Sequence, residues 1–410
     1  MRARCLVNMS CEYFDISDNG FLPDYCCQEL HPSFSYLQPA IDVLEETKCQ
    51  NIRPIVDQLP KISTSLNGLS IHEIRYVYSV CSMICNRYIW CSGVHDAKNY
   101  ADLPLSIGEP FLQASEYLGI APVVTNASLD LYNWHPKDHK LPIGLDNIEI
   151  NHTMTGDISE QWFHKIAIAI EAVGGKLLPD MLTIHTADKL QKEVFLQKLY
   201  GTLVECTSLI KRMNEHCDPH FFFNNIRIYF SGSINDNLPN NVRIGDRILK
   251  FKGASAAQSS LIPLYDILLG IEHSGDNGNF LTDMLDYMPR KHRDCIRQMG
   301  HKGPLCVDSD THLIELFNKC IDQLGKFRMA HLGLIHGYVA KFKGDSSNEG
   351  KTNAHGELGS GSTKSMKFCS DIIRDTMKSK LPIINGYYIS NEVYVIAGVM
   401  ICWIVMCWMS

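Results

Sequence analysis

Apolar residues recur at three- and four-residue steps along most of the chain, and stretches that alternate at every second position are few. From Ser70 onward, Ile74, Val77, Tyr78, Cys81, Ile84, Cys85 and Tyr88 mark one face of a helix. Ser70 and Glu73 form a capping box at its start. The stretch GEPFLQASEYLG predicts a shorter helix, with Pro110 near its start and Gly119 just past its end. Asp157 and Glu160 can cap a third, QWFHKIAIAIEAV, which stops at Gly174 and Gly175. Apart from Lys165 and Glu171 its middle is apolar on most sides, so deep burial is expected, and with it burial of His164. A long amphipathic helix, TADKLQKEVFLQKLYGTLVECTSLIKRM, precedes a turn at Asp218 and Pro219. Beyond residue 260 helix follows helix: LIPLYDILLGIEH, FLTDMLDYM up to Pro289, a long segment through 320–342, and KSMKFCSDIIRDTMKSK.

The pattern shows no sustained alternation of strand and helix and no internal repeat, which makes the fold mainly α. We expect a large all-helical domain over residues 151–385, a smaller mixed, mostly helical N-terminal domain over 1–150, and a hydrophobic tail over 386–410. Two stretches interrupt the helical pattern. GDSSNEGKTNAHGELGSGST is too polar to pack and reads as a mobile loop. VYVIAGVMICWIVMCWMS, residues 393–410, carries no charge, and as a helix it would reach about 26 Å, the lower edge of a hydrocarbon core. A membrane anchor, a buried or dimerising helix, and a chain end absent from the working protein all fit it.

Composition narrows the compartment and the partners. Charged residues make up 20% of the chain and the formal charge is -7, with no basic stripe to invite nucleic acid. The 16 cysteines include the neighbours Cys26 and Cys27 and the group Cys81, Cys85 and Cys91, with no pairs at zinc-ribbon spacing. They read as reduced thiols in a cytoplasmic protein, and the sequons at Asn8, Asn126 and Asn151 as chance matches. His135 and His139 have metal-ligand spacing, but Pro136 and the surrounding charges favour a solvated loop.

Three features carry chemistry. In CIDQLGKFRMAHLGLIHGYVAKF, helical spacing puts Leu324, Phe327, His331, Leu334 and Ile335 on one side, so an imidazole lies within an apolar stripe. That residue is either a hydrogen-bonded core histidine or an axial ligand to haem iron. In FFFNNIRIYFSG, Arg227 sits among aromatic and apolar neighbours, where a guanidinium needs an anion or a structural carboxylate. GASAAQSS, at 253–260, lets a backbone approach something closely or lets helices pack tightly, and it lacks the phosphate-loop pattern.

FFFNNIRIYFSG, GASAAQSS with YDILLGI, FLTDMLDYMPRKHRDCI, FRMAHLGLI and GSGST occur in the order seen in indoleamine 2,3-dioxygenases. Upstream, FDISDNGFLPD, RYIWCSG and the pair Asn133 and Trp134 also resemble that family, so the likeness covers roughly residues 12 to 385. The resemblance implies a haem b enzyme that opens the indole ring of L-tryptophan, or a related indole, with dioxygen to give N-formylkynurenine, the first step of the kynurenine route. By the same resemblance His331 matches the proximal iron ligand, and Asp266 and Arg328 a charged pair beneath the haem. Arg227 matches the clamp for the substrate carboxylate, and Phe222 and Phe223 match aromatic contacts to the indole. Ser255 and Ala256 match a small-residue loop over the haem face, and Ser360 a hydroxyl on a closing loop.

The sequence also departs from the family. Counted back without gaps from Pro179, His164 falls where the active vertebrate members carry serine near bound oxygen, and it could donate a hydrogen bond there. Asn126 stands for a tyrosine, Leu129 for a cysteine, and Ala254 and Ala257 for glycines. The family includes molluscan myoglobins, so a non-catalytic or weakly catalytic oxygen-binding protein is the alternative that the resemblance leaves open.

Overall fold

The computed structural model describes residues 10–45, 51–62, 64–234, 237–238, 240–307, 310–342 and 365–382. The polar run with Ser360 and the apolar tail lie outside the described residues. Among those that are described, no helix is long and apolar enough to cross a membrane.

The fold is mainly helical, as the periodicity predicts. Helix α1 (Ile71–Trp90) opens on the expected capping box: Ser70 Oγ accepts from Glu73 N–H, and Glu73 Oε2 from Ser70 N–H at 2.7 Å. Helix α2 (Leu105–Leu118) begins five residues before Pro110, so that proline is interior and not at the first turn. The missing Pro110 N–H frees the carbonyl of Ser106, and Tyr36 Oη donates to it at 2.9 Å. Gly119 ends the helix in the left-handed region, at φ +66°.

Helix α3 (Ile158–Gly175) is capped by Asp157, which accepts from Ser159 N–H at 2.8 Å. Glu160 does not complete a capping box. Its carboxylate turns back to accept from the N–H groups of Met154 and Thr155, at 2.8 and 2.7 Å. The helix end meets the N-terminal turn backbone to backbone. A Cβ on Gly20, at φ +73°, would come within 2.3 Å of Gly175 Cα.

Helix α4 (Lys189–Lys211) carries a capping box from Asp188 and Gln191 and packs along α8 (Thr311–Tyr338). Between them come α5 (Leu261–Leu268), α6 (Gly275–Met284) and α7 (Arg290–Lys302). Helix α9 (Ser365–Lys378) lies against α8. Short strands tie distant segments together. Strand β1 (Asp102–Leu103) runs parallel to β4 (Val242–Ile244), which pairs antiparallel with β5 (Arg247–Leu249). Strand β2 (Trp134–Pro136) pairs with β3 (Ile148–Ile150). Runs of two or three residues are too short to print a period of two on the sequence. His135 lies on β2 with Nδ1 2.6 Å from Asn151 Oδ1, and His139 is exposed, so the two do not form a ligand pair.

Two apolar clusters form the interior. The first gathers α1, α2, much of α3 and the segment around 222–254. The second gathers α4, α5, α7 and the first half of α8 with Phe14 and Phe21.

Candidate functional site

Helix α8 changes character along its length. Ile321 and Leu324 are fully buried, whereas Phe327, His331, Leu334 and Ile335 keep accessible surface although they continue the same apolar stripe. His331 is half-buried, so the stripe keeps a partly open apolar side here. Burial, with Arg328 beside it, pushes the pKa of His331 down to about 4. The ring is therefore neutral at neutral pH, and it has no hydrogen-bond partner among the described residues. A neutral imidazole with a free lone pair on an open apolar face fits a haem iron ligand better than a satisfied core histidine.

One turn earlier, Arg328 Nη2 donates to both carboxylate oxygens of Asp266, at 2.7 Å each. Burial raises the Asp266 pKa, but Arg328 and His273 outweigh it and hold the carboxyl below its usual range. Arg328 also donates to Thr376 of α9. Arg328 and Asp266 thus pair with each other, and the structure adds His273 and Thr376, which no spacing had marked.

The aromatic segment follows from Asp218. Its side chain accepts from Phe221 N–H at 2.6 Å, Pro219 occupies the first helical position, and the chain then winds as a wide π turn from Phe222 to Ile226. Such turns push side chains into unusual directions and cluster at functional sites. Arg227 follows, 5% exposed, its guanidinium carbon 5.4 Å from the Phe223 ring centre. Burial pushes its pKa down to about 10, so it remains a cation in a dry place. Phe222 joins both helices of the site: its ring centre is 5.0 Å from Phe163 on α3 and 5.5 Å from Tyr338 at the end of α8. Tyr338 Oη donates to Cys217 O at 2.8 Å, which fixes the helix end against the start of this segment.

The small-residue loop lies against the same segment. A Cβ on Gly253 would fall 1.9 Å from Phe230 O, and Ala254 N–H donates to that oxygen at 3.0 Å. Close approach of two backbones is thus what the glycine serves, and the neighbour is the end of the 3-10 turn Arg227–Phe230. Ser255 Oγ accepts from Ala257 N–H at 3.3 Å, and the loop is open at Ser255 and Ala256. Gln258 holds it in place, its Nε2 donating to Gly253 O at 2.8 Å and its Oε1 accepting from Asn126 N–H at 3.1 Å.

His164 is buried against two carboxylates. Its Nδ1 lies 2.7 Å from Asp130 Oδ1, its Nε2 lies 3.9 Å from Glu160 Oε1, and the residue is 1% exposed. Burial lowers its pKa, but the bond to Asp130 and the charges of Asp130 and Glu160 raise it overall. Both nitrogens thus face carboxylates. Phe163, Ala167 and Ile170, at four- and three-residue steps, form one partly accessible apolar stripe of α3, and Gln161, Lys165 and Val173 are partly accessible as well.

Comparison with known proteins first gives the class. The chain is 28% identical to indoleamine 2,3-dioxygenase 1 of Rattus norvegicus, over 90% of this chain and 95% of the relative. It is 29% identical to an indoleamine 2,3-dioxygenase of Aspergillus nanangensis, over 91% and 98%. It is 30% identical to a 6-hydroxytryptophan 2,3-dioxygenase of Fusarium equiseti, over 90% and 97%. All three are similar along nearly their whole length, and all three are dioxygenases by name. The family model of indoleamine 2,3-dioxygenase matches residues 10–379, and the chain belongs to that family. It is accordingly an oxidoreductase.

Proposed function

We propose that the protein opens the indole ring of L-tryptophan with dioxygen to give N-formylkynurenine, with haem b held by His331 in the helical domain of residues 151–385. The observation that carries this reading is the junction at Phe222. Phe222 packs on Phe163 of α3 and on Tyr338 at the end of α8, the helix that carries the neutral His331, and the buried cation Arg227 follows in the same segment beside the Phe223 ring.

Haem, when bound, supplies the iron that binds and activates dioxygen. The chain's own residues do the rest. Arg227 takes the substrate carboxylate in a geometry that lysine cannot copy. Phe163, Phe222 and Phe223 form the apolar wall for the indole. Ala167, Ser255 and Ala256 are small enough to leave room over the haem face. The Asp266 and Arg328 pair fixes the turn of α8 that bears His331. Ser360, which the resemblance matches to a hydroxyl on the substrate side, lies outside the described residues. The compartment we assign is the cytoplasm.

The Fusarium relative is named for 6-hydroxytryptophan, so a related indole is the alternative substrate for the same site. The test is direct. Haem-loaded protein, reduced under air, is given L-tryptophan and 6-hydroxytryptophan in separate arms, and formation of the ring-opened product is followed. Product from neither, with reversible oxygen uptake, would turn the reading to an oxygen carrier. His331→Ala should abolish normal haem ligation, and an unchanged spectrum would remove His331 from its role.

A further inference from the structure

His273 lies just past α5, with a side chain only 6% exposed. Its Nε2 is 3.3 Å from Asp266 Oδ2 and its Nδ1 is 3.3 Å from Asp375 Oδ2, on α9. Both partners are carboxylates, which accept and cannot donate when ionised. A neutral imidazole carries one N–H, so it can make only one of these bonds. The doubly bonded ring is the imidazolium.

The charges around it are few and can be counted by element. Helix α5 contributes Asp266, α8 contributes Arg328, and α9 contributes Asp375 together with Asp371 and Arg374, which pair with each other at 2.8 Å. Asp371 also approaches Asn277 of α6 at 3.5 Å. With His273 protonated, the two aspartates that it bridges are balanced by His273 and Arg328. With His273 neutral, one aspartate loses its partner and the group keeps a net negative charge.

We propose that His273 is a proton-dependent positioning residue for the helix that carries His331. Protonated, it bridges Asp266 to α9 and holds Asp266 square to Arg328, three residues before the ligand. Deprotonated, it releases one of the two links, and the fixed charge behind the imidazole of His331 changes. The inference rests on the reading of His331 as the iron ligand.

The test uses the haem-loaded full chain. The ferrous iron–imidazole stretching band is recorded by resonance Raman from about pH 5 to about pH 9, while the His273 ring is titrated by NMR on the same protein. The band should shift, with the midpoint of the His273 titration. His273→Arg, which keeps the charge and two donors at every pH, should hold the band at its low-pH position. His273→Gln, which can donate to one carboxylate only, should hold it at its high-pH position. A band that stays fixed while His273 titrates overturns the proposal, as does a shift that both variants retain. Absence of any iron–imidazole band in protein with His331 intact removes the ligand assignment and this proposal with it. The wild-type comparison stands even if a variant fails to fold.

Discussion

Glu171 illustrates how one buried residue sets a pH limb. It lies on α3 at 4% exposure, with Ser259 Oγ 2.5 Å from its Oε1. Burial pushes its pKa up to about 7; the Ser259 bond opposes this, and Asp130 adds to it. The folded pKa is thus above the unfolded one. The stability is full below the unfolded pKa, near 4.5, and is lost as pH rises through about 7. Glu171→Gln should therefore gain on the wild type as pH rises, by about 3 kcal/mol near pH 8, with no such gain near pH 4. Urea unfolding at both values measures it, and a difference that does not change with pH would contradict the burial argument. Arg227 makes a prediction of another kind. Arg227→Ala should raise the tryptophan needed for half-maximal rate by at least about tenfold and leave haem uptake intact. An unaltered substrate response would reject the carboxylate clamp.

At the scale of elements, the tightest crossing is between the exit from Arg227 and the small-residue loop. Gly253→Ala must drive these two backbones apart, because its Cβ would lie 1.9 Å from Phe230 O. A loss of about 2 to 4 kcal/mol in unfolding experiments is expected, with a weakened substrate response, since the crossing also sets Ser255 and Ala256. The helices themselves were legible because capping boxes and a 3.6-residue period are local signals, as at Ser70. The start of α2 was not, because the partner that accommodates Pro110 is Tyr36, about 70 residues upstream. His331 and Arg227 could be read as misfits, a polar group in an apolar pattern. His164 could be read only as buried. Its direction is set by Asp130, which a π turn at Ala127–Leu131 brings to it, and no count along α3 contains that. His273 gave no signal at all, since its meaning depends on carboxylates that come from two other segments.

At the scale of the whole molecule, acid stability should depend on the junction that joins the N-terminal segment to α1 and α7. His292 of α7 is fully buried, with its ring centre 4.2 Å from that of Phe21. Neither ring nitrogen has a hydrogen-bond partner among the described residues, and Asp15 Oδ2, which pairs with Arg75 of α1, stays 3.8 Å away. Burial pushes the pKa of His292 down to about 3; Asp15 opposes this and Arg75 adds to it. The folded pKa is below the unfolded one, so the stability from this group is present above about pH 6.5 and is lost as pH falls towards 3. Two pH units below the unfolded value, the loss is about 2 to 3 kcal/mol. It arises because the unfolded chain takes up a proton that the folded interior refuses. His292→Phe keeps a ring against Phe21 and removes the titration, so its stability should fall less steeply between about pH 7 and pH 4.5. Parallel decline of variant and wild type would show that other carboxylates govern acid unfolding. This limb and that of Glu171 run in opposite directions, so the variant with both substitutions should have a flatter pH profile than either alone. Glu171 interacts with Ser259 and Asp130 and His292 with Asp15 and Arg75, so the two share none of these partners, which is the condition for their effects to add.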